Sequence, residues 1–156
     1  MVFGFKKKPA PTLVAVADGE VIAMDAVSDP VFASKTMGDG FAVRPTSDMV
    51  VSPFNGEIVS VFPTKHAIIM HSDDGLDVLV HMGIDTVALK GEGFDVKVAQ
   101  GDKVSAGQPL AAMDLGYVVD QGKETTIIVV ITNLDGKRLK LTSGAASAGT
   151  PVLELK

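Results

Sequence analysis

Two stretches of this chain occur twice, and that duplication constrains its fold more than any other feature. Ala17-Asp18-Gly19-Glu20-Val21-Ile22 reads like Phe54-Asn55-Gly56-Glu57-Ile58-Val59: a turn, a glycine, a glutamate, then a β-branched strand. Ala106-Gly107-Gln108-Pro109-Leu110 matches Ala148-Gly149-Thr150-Pro151-Val152, each leading into a short apolar strand. Two copies are too few for a solenoid array. They predict a duplicated β unit closed into a sandwich or barrel. Thr125 to Asn133 adds a continuous β-branched run, the pattern of a buried strand. It ends at the turn Asn133-Leu134-Asp135-Gly136, while Pro45 and Thr46-Ser47-Asp48 interrupt the chain before Met49-Val50-Val51. Short helical turns are expected at Asp29-Pro30 to Lys35 and within Leu115 to Lys123. The expected fold is all-β: an antiparallel β-sandwich of many strands, each of about five residues, with at most short helical turns.

Composition narrows the function classes. The 156 residues suffice for one domain with a real core. No apolar run approaches the length of a membrane-spanning helix. A net charge of −5 argues against nucleic-acid binding. With no cysteine, disulfides, thiol catalysis and thiolate metal sites are excluded, and a cytoplasmic location is expected. The start, Met1-Val2-Phe3-Gly4-Phe5-Lys6-Lys7-Lys8-Pro9, does not read as a secretory signal, because its basic cluster follows the apolar residues. Residues 1–12 are expected to form a flexible basic tail and 13–156 a single domain. A sharper reading of the tail is weak membrane-surface contact through Phe3, Phe5 and the lysines, each lysine adding about 1 kcal/mol.

Chemistry is concentrated around two histidines fifteen residues apart, His66 and His81, on either side of Ser72-Asp73-Asp74-Gly75. Apolar flanks around strong turn residues predict a β-hairpin. An Asp73-Asp74 loop pairs His66 with His81. An Asp74-Gly75 loop pairs His66 with Gly83 and leaves His81 on the near diagonal. Both registers put the rings on one face, whereas a three-residue loop puts them on opposite faces. Asp77, Leu79 and His81 share a face, as do His66, Ile68 and Met70. If that face meets solvent, Leu79, Ile68 and Met70 surround the histidines with an apolar docking patch.

A neutral imidazole nitrogen is a good nucleophile toward phosphorus, and a second imidazole able to be cationic could stabilise the transferred group. Thr64, two residues before His66, is placed to orient that second ring. Asp85 either sets local charge or caps a turn. Gly91-Glu92-Gly93 reads as a turn allowing close backbone approach, since a lone Gly-x-Gly lacks the context of a phosphate loop. His71, of opposite parity to His66, reads as a surface residue without a role.

Gly101 to Leu110 resembles the hammerhead turn of lipoyl and biotinyl carrier domains, but no Met-Lys-Met or Asp-Lys-Ala tripeptide is present to carry the cofactor. The longer likeness is elsewhere. Phe62-Pro63-Thr64-Lys65-His66-Ala67, Val80-His81-Met82-Gly83-Ile84-Asp85-Thr86-Val87 and Lys90-Gly91-Glu92-Gly93-Phe94 carry it. Asp29-Pro30-Val31-Phe32, Met37-Gly38-Asp39-Gly40-Phe41-Ala42 and Gly149-Thr150-Pro151-Val152 add to it. In these motifs the chain resembles the glucose-type enzyme IIA family of the bacterial phosphoenolpyruvate-dependent sugar phosphotransferase system.

That resemblance implies a β-sandwich with a duplicated hybrid (hammerhead) motif. It implies that His81 accepts a phosphoryl group from the histidine-containing phosphocarrier protein and passes it to a cysteine of a sugar-permease IIB domain. His66 is then the second imidazole, tuned by Thr64. The docking surface is Val31, Phe32, Met37, Phe62, Ile68 and Leu79, rimmed by Asp29, Asp39 and Asp85. No cofactor is required. Two other readings stay open: a zinc site in which His66 and His81 are completed by Asp85 or by a partner's carboxylate, and a regulatory binding module that does not turn over phosphate.

Overall fold

The β-branched run near residue 128 lies at the centre of the largest sheet, and both of its faces are covered. The structure is a computed structural model that describes residues 10–156. In chain order the strands are β1 (Thr12–Val14), β2 (Gly19–Ala23), β3 (Asp39–Pro45), β4 (Met49–Val51), β5 (Gly56–Val61), β6 (Ala67–Ser72) and β7 (Asp77–Ile84). They continue with β8 (Phe94–Val96), β9 (Lys103–Val104), β10 (Pro109–Met113), β11 (Glu124–Ile131), β12 (Leu139–Leu141), β13 (Gly144–Ala146) and β14 (Pro151–Leu155). Two short helices, α1 (Pro30–Ala33) and α2 (Leu115–Asp120), fall inside the two segments expected to hold helical turns.

Eight strands form one antiparallel sheet in the order β13-β2-β3-β11-β7-β6-β5-β9, and two three-stranded sheets run β1-β14-β12 and β4-β10-β8. Along β11 the side chains divide by parity. Ile127, Val129 and Ile131 enter the main core with Phe41, Val80 and Met82, where Leu13, Leu153, Val50 and Leu110 of the small sheets meet them. Ile128 and Val130 enter a smaller cluster on the other face with Ala42, Ala67, Leu79, Met24 and Phe32. A strand buried on both faces has no reason to alternate with polar residues, which explains the continuous run. The antiparallel sandwich expected from the sequence is the observed architecture.

The duplication is visible in the geometry. Gly19 opens β2 and Gly56 opens β5. A Cβ at Gly19 would lie 2.1 Å from the Arg44 carbonyl oxygen, and one at Gly56 would lie 2.2 Å from that of His71. Both glycines therefore allow the same close approach of neighbouring strands. The preceding residues also correspond: Asp18 Oδ1 accepts from Ala148 N at 2.7 Å, and Asn55 Oδ1 from Ala106 N at 2.8 Å. Reciprocal bonds join the copies, Val14 N to Pro53 O at 2.9 Å and Val51 N to Val16 O at 2.7 Å.

Asp29 caps α1 by accepting from Val31 N, with Pro30 in the first turn, and Asp114 caps α2 in the same manner. Residues 1–9 of the expected tail, with its proposed membrane contact through Phe3 and Phe5, lie outside the described residues. At the end of that expected tail, Pro11 O accepts from Leu155 N at 2.9 Å and Thr12 begins β1. Among the described residues no helix is long and apolar enough to cross a membrane.

The two roles of glycine separate experimentally. Gly56→Ala should destabilise the protein by about 1–3 kcal/mol, because its methyl must displace backbone. Gly116→Ala should raise stability by about 0.5 kcal/mol, because it sits in α2 with no neighbour closer than Asp114 Oδ1 at 3.6 Å. Urea denaturation of both variants checks the pair.

Candidate functional site

The hairpin of β6 and β7 closes through three residues. Ser72 N donates to Leu76 O at 2.9 Å, Gly75 N to Ser72 O at 3.0 Å, and Gly75 has φ 91°. This is a turn on Asp73-Asp74 followed by a left-handed glycine, a common three-residue hairpin. It is the register for which alternation predicted opposite faces. His81 pairs with Ala67 rather than His66, and Leu79 pairs with Ile69. Ile68 consequently turns inward with 0% exposure, as does Met70, so neither belongs to a docking patch. Ile69 takes the place expected of Ile68.

The two imidazoles nevertheless meet, with ring centroids 4.9 Å apart and planes at 82°. They do so because His66 is outside the strand. Strand β6 begins at Ala67, and Thr64 to His66 lie in the turn from β5, closed by Phe62 N to Ala67 O at 3.0 Å. Lys65 is left-handed there, with φ 61°. The turn, not the pleat, swings His66 onto the face of His81.

His81 sits in the middle of the large sheet, between Ala67 of β6 and Ile128 of β11. Phe32 of α1 tilts over it at 5.0 Å, and Phe62 meets His66 edge-on at 5.5 Å. His81 Nδ1 lies 2.7 Å from the Gly83 carbonyl oxygen. A carbonyl only accepts, so the proton is on Nδ1 and a neutral ring has its lone pair on Nε2. His66 Nδ1 lies 2.7 Å from Thr64 Oγ1. If that hydroxyl donates, the His66 proton sits on Nε2.

Burial sets the protonation of both rings. His66 is only 4% exposed. Desolvation, with a smaller contribution from His81, brings its pKa down to about 4. The second imidazole, expected from the sequence to be able to become cationic, is therefore neutral at physiological pH. Desolvation also lowers His81, opposed by the Gly83 hydrogen bond and by the charges of Asp29 and Asp85. Asp85 precedes the 3-10 turn Thr86–Leu89 with φ 60° and makes no side-chain capping bond. Its contribution is charge.

Around the rings Val31 and Met37 are exposed, Phe62 and Ile69 half-buried, and Phe32 and Leu79 buried beneath them. Met37, Phe62, Ile69 and Leu79 line a depression of about 230 Å³. Asp39 pairs with Lys35 at 3.4 Å. His71 is half-buried and pairs with Asp77 at 2.7 Å. Gly91 packs against the Thr64-Lys65 turn, whereas Gly93 makes room for Tyr117. Among the described residues no group of three or more His, Cys, Asp or Glu could hold a metal ion. Two site features escaped the sequence reading. Gly83 was signalled by a glycine inside a strand, which often marks a bulge or a close approach. Ile69 was signalled by Gly75 as the left-handed third residue of the hairpin loop.

Comparison with known proteins bears on the family and the fold. The sequence model of the family described as "phosphoenolpyruvate-dependent sugar phosphotransferase system, EIIA 1" matches residues 11–136. A glucose-specific EIIA component of the phosphotransferase system from Staphylococcus aureus (strain COL) is 47% identical over 123 residues, covering 79% of this chain and 74% of that protein. A glucose-specific EIICBA component from Streptococcus pneumoniae serotype 4 is 49% identical over 144 residues, 91% of this chain but 20% of that protein. An N-acetylglucosamine-specific EIICBA component from Escherichia coli K12 is 42% identical over 97% of this chain and 25% of its own length. The chain thus spans about a fifth to a quarter of these EIICBA relatives. The solved structure of glucose permease IIA from Mycoplasma capricolum superimposes with a TM-score of 0.90 at 36% identity, covering 99% of this chain and 100% of that one.

The depressed pKa of His66 has a thermodynamic consequence. Unfolded, the ring titrates at its ordinary 6.5; folded, at about 4. Between those values the unfolded chain binds the extra proton, so stability is full above 6.5 and falls as pH drops toward 4. The loss attributable to this ring is up to about 3 kcal/mol. Denaturant titrations across that range should show a shallower slope for His66→Gln than for the natural chain.

Proposed function

The chain belongs to the EIIA 1 family of the phosphoenolpyruvate-dependent sugar phosphotransferase system, a phosphocarrier component of sugar transport, and we propose that His81 is the residue that carries the phosphoryl group. One observation bears most of the weight: the 2.7 Å bond from His81 Nδ1–H to the Gly83 carbonyl, which leaves Nε2 as the free nucleophile. The donor is a phosphohistidine of the histidine-containing phosphocarrier protein. His81 Nε2 attacks phosphorus, the donor's N–P bond breaks, and the donor ring recovers its lone pair. As the new N–P bond forms, the His81 ring becomes positive. The Gly83 carbonyl and the carboxylates of Asp29 and Asp85 stabilise that charge.

Neutral His66 then acts as a hydrogen-bond donor through Nε2–H, with Thr64 Oγ1–H donating to its Nδ1. A phosphoryl group on His81 brings up to about two negative charges beside it and raises the proton affinity of His66. In the second step a cysteine thiolate of a permease IIB domain attacks phosphorus, and the bond to His81 Nε2 breaks. The EIICBA relatives support a IIB partner, because they join EIIA to the other components in one chain. Both partners dock in turn on Val31, Met37, Phe62 and Ile69, with Phe32 and Leu79 as the packed floor. A basic carrier face suits the rim of Asp29, Asp39 and Asp85. The setting of these exchanges is the cytoplasm. The charge placed on an apolar face also suits regulatory binding that depends on phosphorylation.

Intact mass after incubation with phosphoenolpyruvate, enzyme I and the carrier protein is the direct test. The natural chain should gain one acid-labile phosphoryl group and His81→Ala none. His66→Ala should still accept, while passing the group on about 100-fold more slowly. A natural chain that gains nothing from a demonstrably active carrier would sink the proposal and favour a purely regulatory module.

The docking face has its own check. Ile69→Ser should raise the KM for the carrier about tenfold while costing less stability than truncation of a fully buried neighbour. Its neighbour Ile68→Ala should cost about 2–5 kcal/mol of stability and leave KM alone.

A further inference from the structure

The bond that fixes the His81 tautomer is not one that a regular strand can make. Carbonyls lie along the hydrogen-bonding direction of a sheet and side chains stand perpendicular to it. A ring therefore does not ordinarily reach the carbonyl two residues ahead on its own strand. His81 reaches Gly83 because the backbone turns there, with φ 82° at Gly83. Across the sheet the ladder slips at the same place: Ile127 pairs with Met82, yet Glu124 pairs with Ile84. Something must hold this irregular peptide in one orientation.

Thr86 is the side chain in position to do so. It has 0% exposure, one of few fully buried polar residues. Its hydroxyl donates to the Met82 carbonyl oxygen at 2.6 Å, anchoring the peptide that leads into Gly83. Its methyl closes the space over Gly83, where an added Cβ would come within 2.4 Å of Thr86 Cγ2. On another side the same Cβ would meet the Glu124 carbonyl oxygen at 2.9 Å. The Gly83 backbone is thus gripped between Thr86 and the start of β11.

We propose that Thr86 is a positioning residue: it clamps the Met82-Gly83 backbone so that the Gly83 carbonyl holds the proton on His81 Nδ1 and leaves the lone pair on Nε2. The Thr86 hydroxyl bonds to the Met82 carbonyl and not to either ring. It acts through Gly83, and only the description of Nε2 as the phosphoryl acceptor rests on the function proposed above. Losing the clamp frees the carbonyl to turn away, so His81 populates both tautomers and the Nε2 lone pair is present only part of the time.

The test is nitrogen NMR of the full unphosphorylated chain with labelled histidine, at a pH where both rings are neutral, together with the rate of phosphoryl acceptance. The natural chain should show His81 as a single Nδ1–H tautomer. Thr86→Val keeps the bulk and loses the donor; it should show mixed tautomers and accept phosphate about 10- to 100-fold more slowly. Thr86→Ser retains the donor and should recover the single tautomer. Should Thr86→Val fail to fold, Thr86→Cys supplies a weak donor of similar size and should show the same mixing to a lesser degree. An Nε2–H or mixed state in the natural chain overturns the proposal. So does a folded Thr86→Val or Thr86→Cys that keeps the single tautomer and full rate. A natural chain with the Nδ1–H tautomer that takes no phosphoryl group from an active carrier leaves the clamp intact and removes the assigned function instead.

Discussion

A central sheet buried on both faces must find apolar cover twice, and the second cover is the thinner one. The main core is closed by two further sheets. The smaller cluster is closed by the 3-10 turn Met24–Ala26, by Val27, by Phe32 of α1 and by the half-buried Phe62. The two imidazoles lie at the edge of this thin cover. That position explains why they are dry enough for both pKa values to fall, yet near enough to solvent for a partner to reach. It also explains why Val31 and Met37 remain exposed beside them: there is not enough chain to cover the face completely.

The duplicated unit supplies that cover asymmetrically. In the first copy β2 and β3 are joined by a long excursion that includes α1. In the second, the equivalent β5 and β6 are joined by the tight turn ending at His66. The long connection contributes Val31, Phe32 and Met37; the short one contributes Phe62, Thr64 and His66. One repeat has become the lid and floor of the site, and the other has become its second imidazole. Opposite connections between matched strands thus create a single site on a pseudo-symmetric frame.

Irregular backbone carries most of the chemistry. His66 faces His81 because Lys65 is left-handed and breaks the alternation of the strand. The His81 proton is placed by a carbonyl turned at Gly83, and part of the nearby charge comes from left-handed Asp85. Regular pleating provides a rigid base, and functional groups are aimed by departures from it.

Much of this was legible in the residues. The duplicated turns, the β-branched run and the absence of long helical patterns carry the all-β sandwich, because turn chemistry and β-branching act locally. The motifs around His66 and His81 carry the family likeness for the same reason. Tertiary structure alone decided which isoleucine lies on the face of the two histidines. Period-two alternation relates residues within a strand, but the register against the next strand depends on a single loop residue, and that residue exchanged Ile68 for Ile69. It also decided the charge of His66 and the tautomer of His81. Both depend on burial and on hydrogen bonds made at the turn before β6 and the bend near the end of β7, which no pattern of spacing contains.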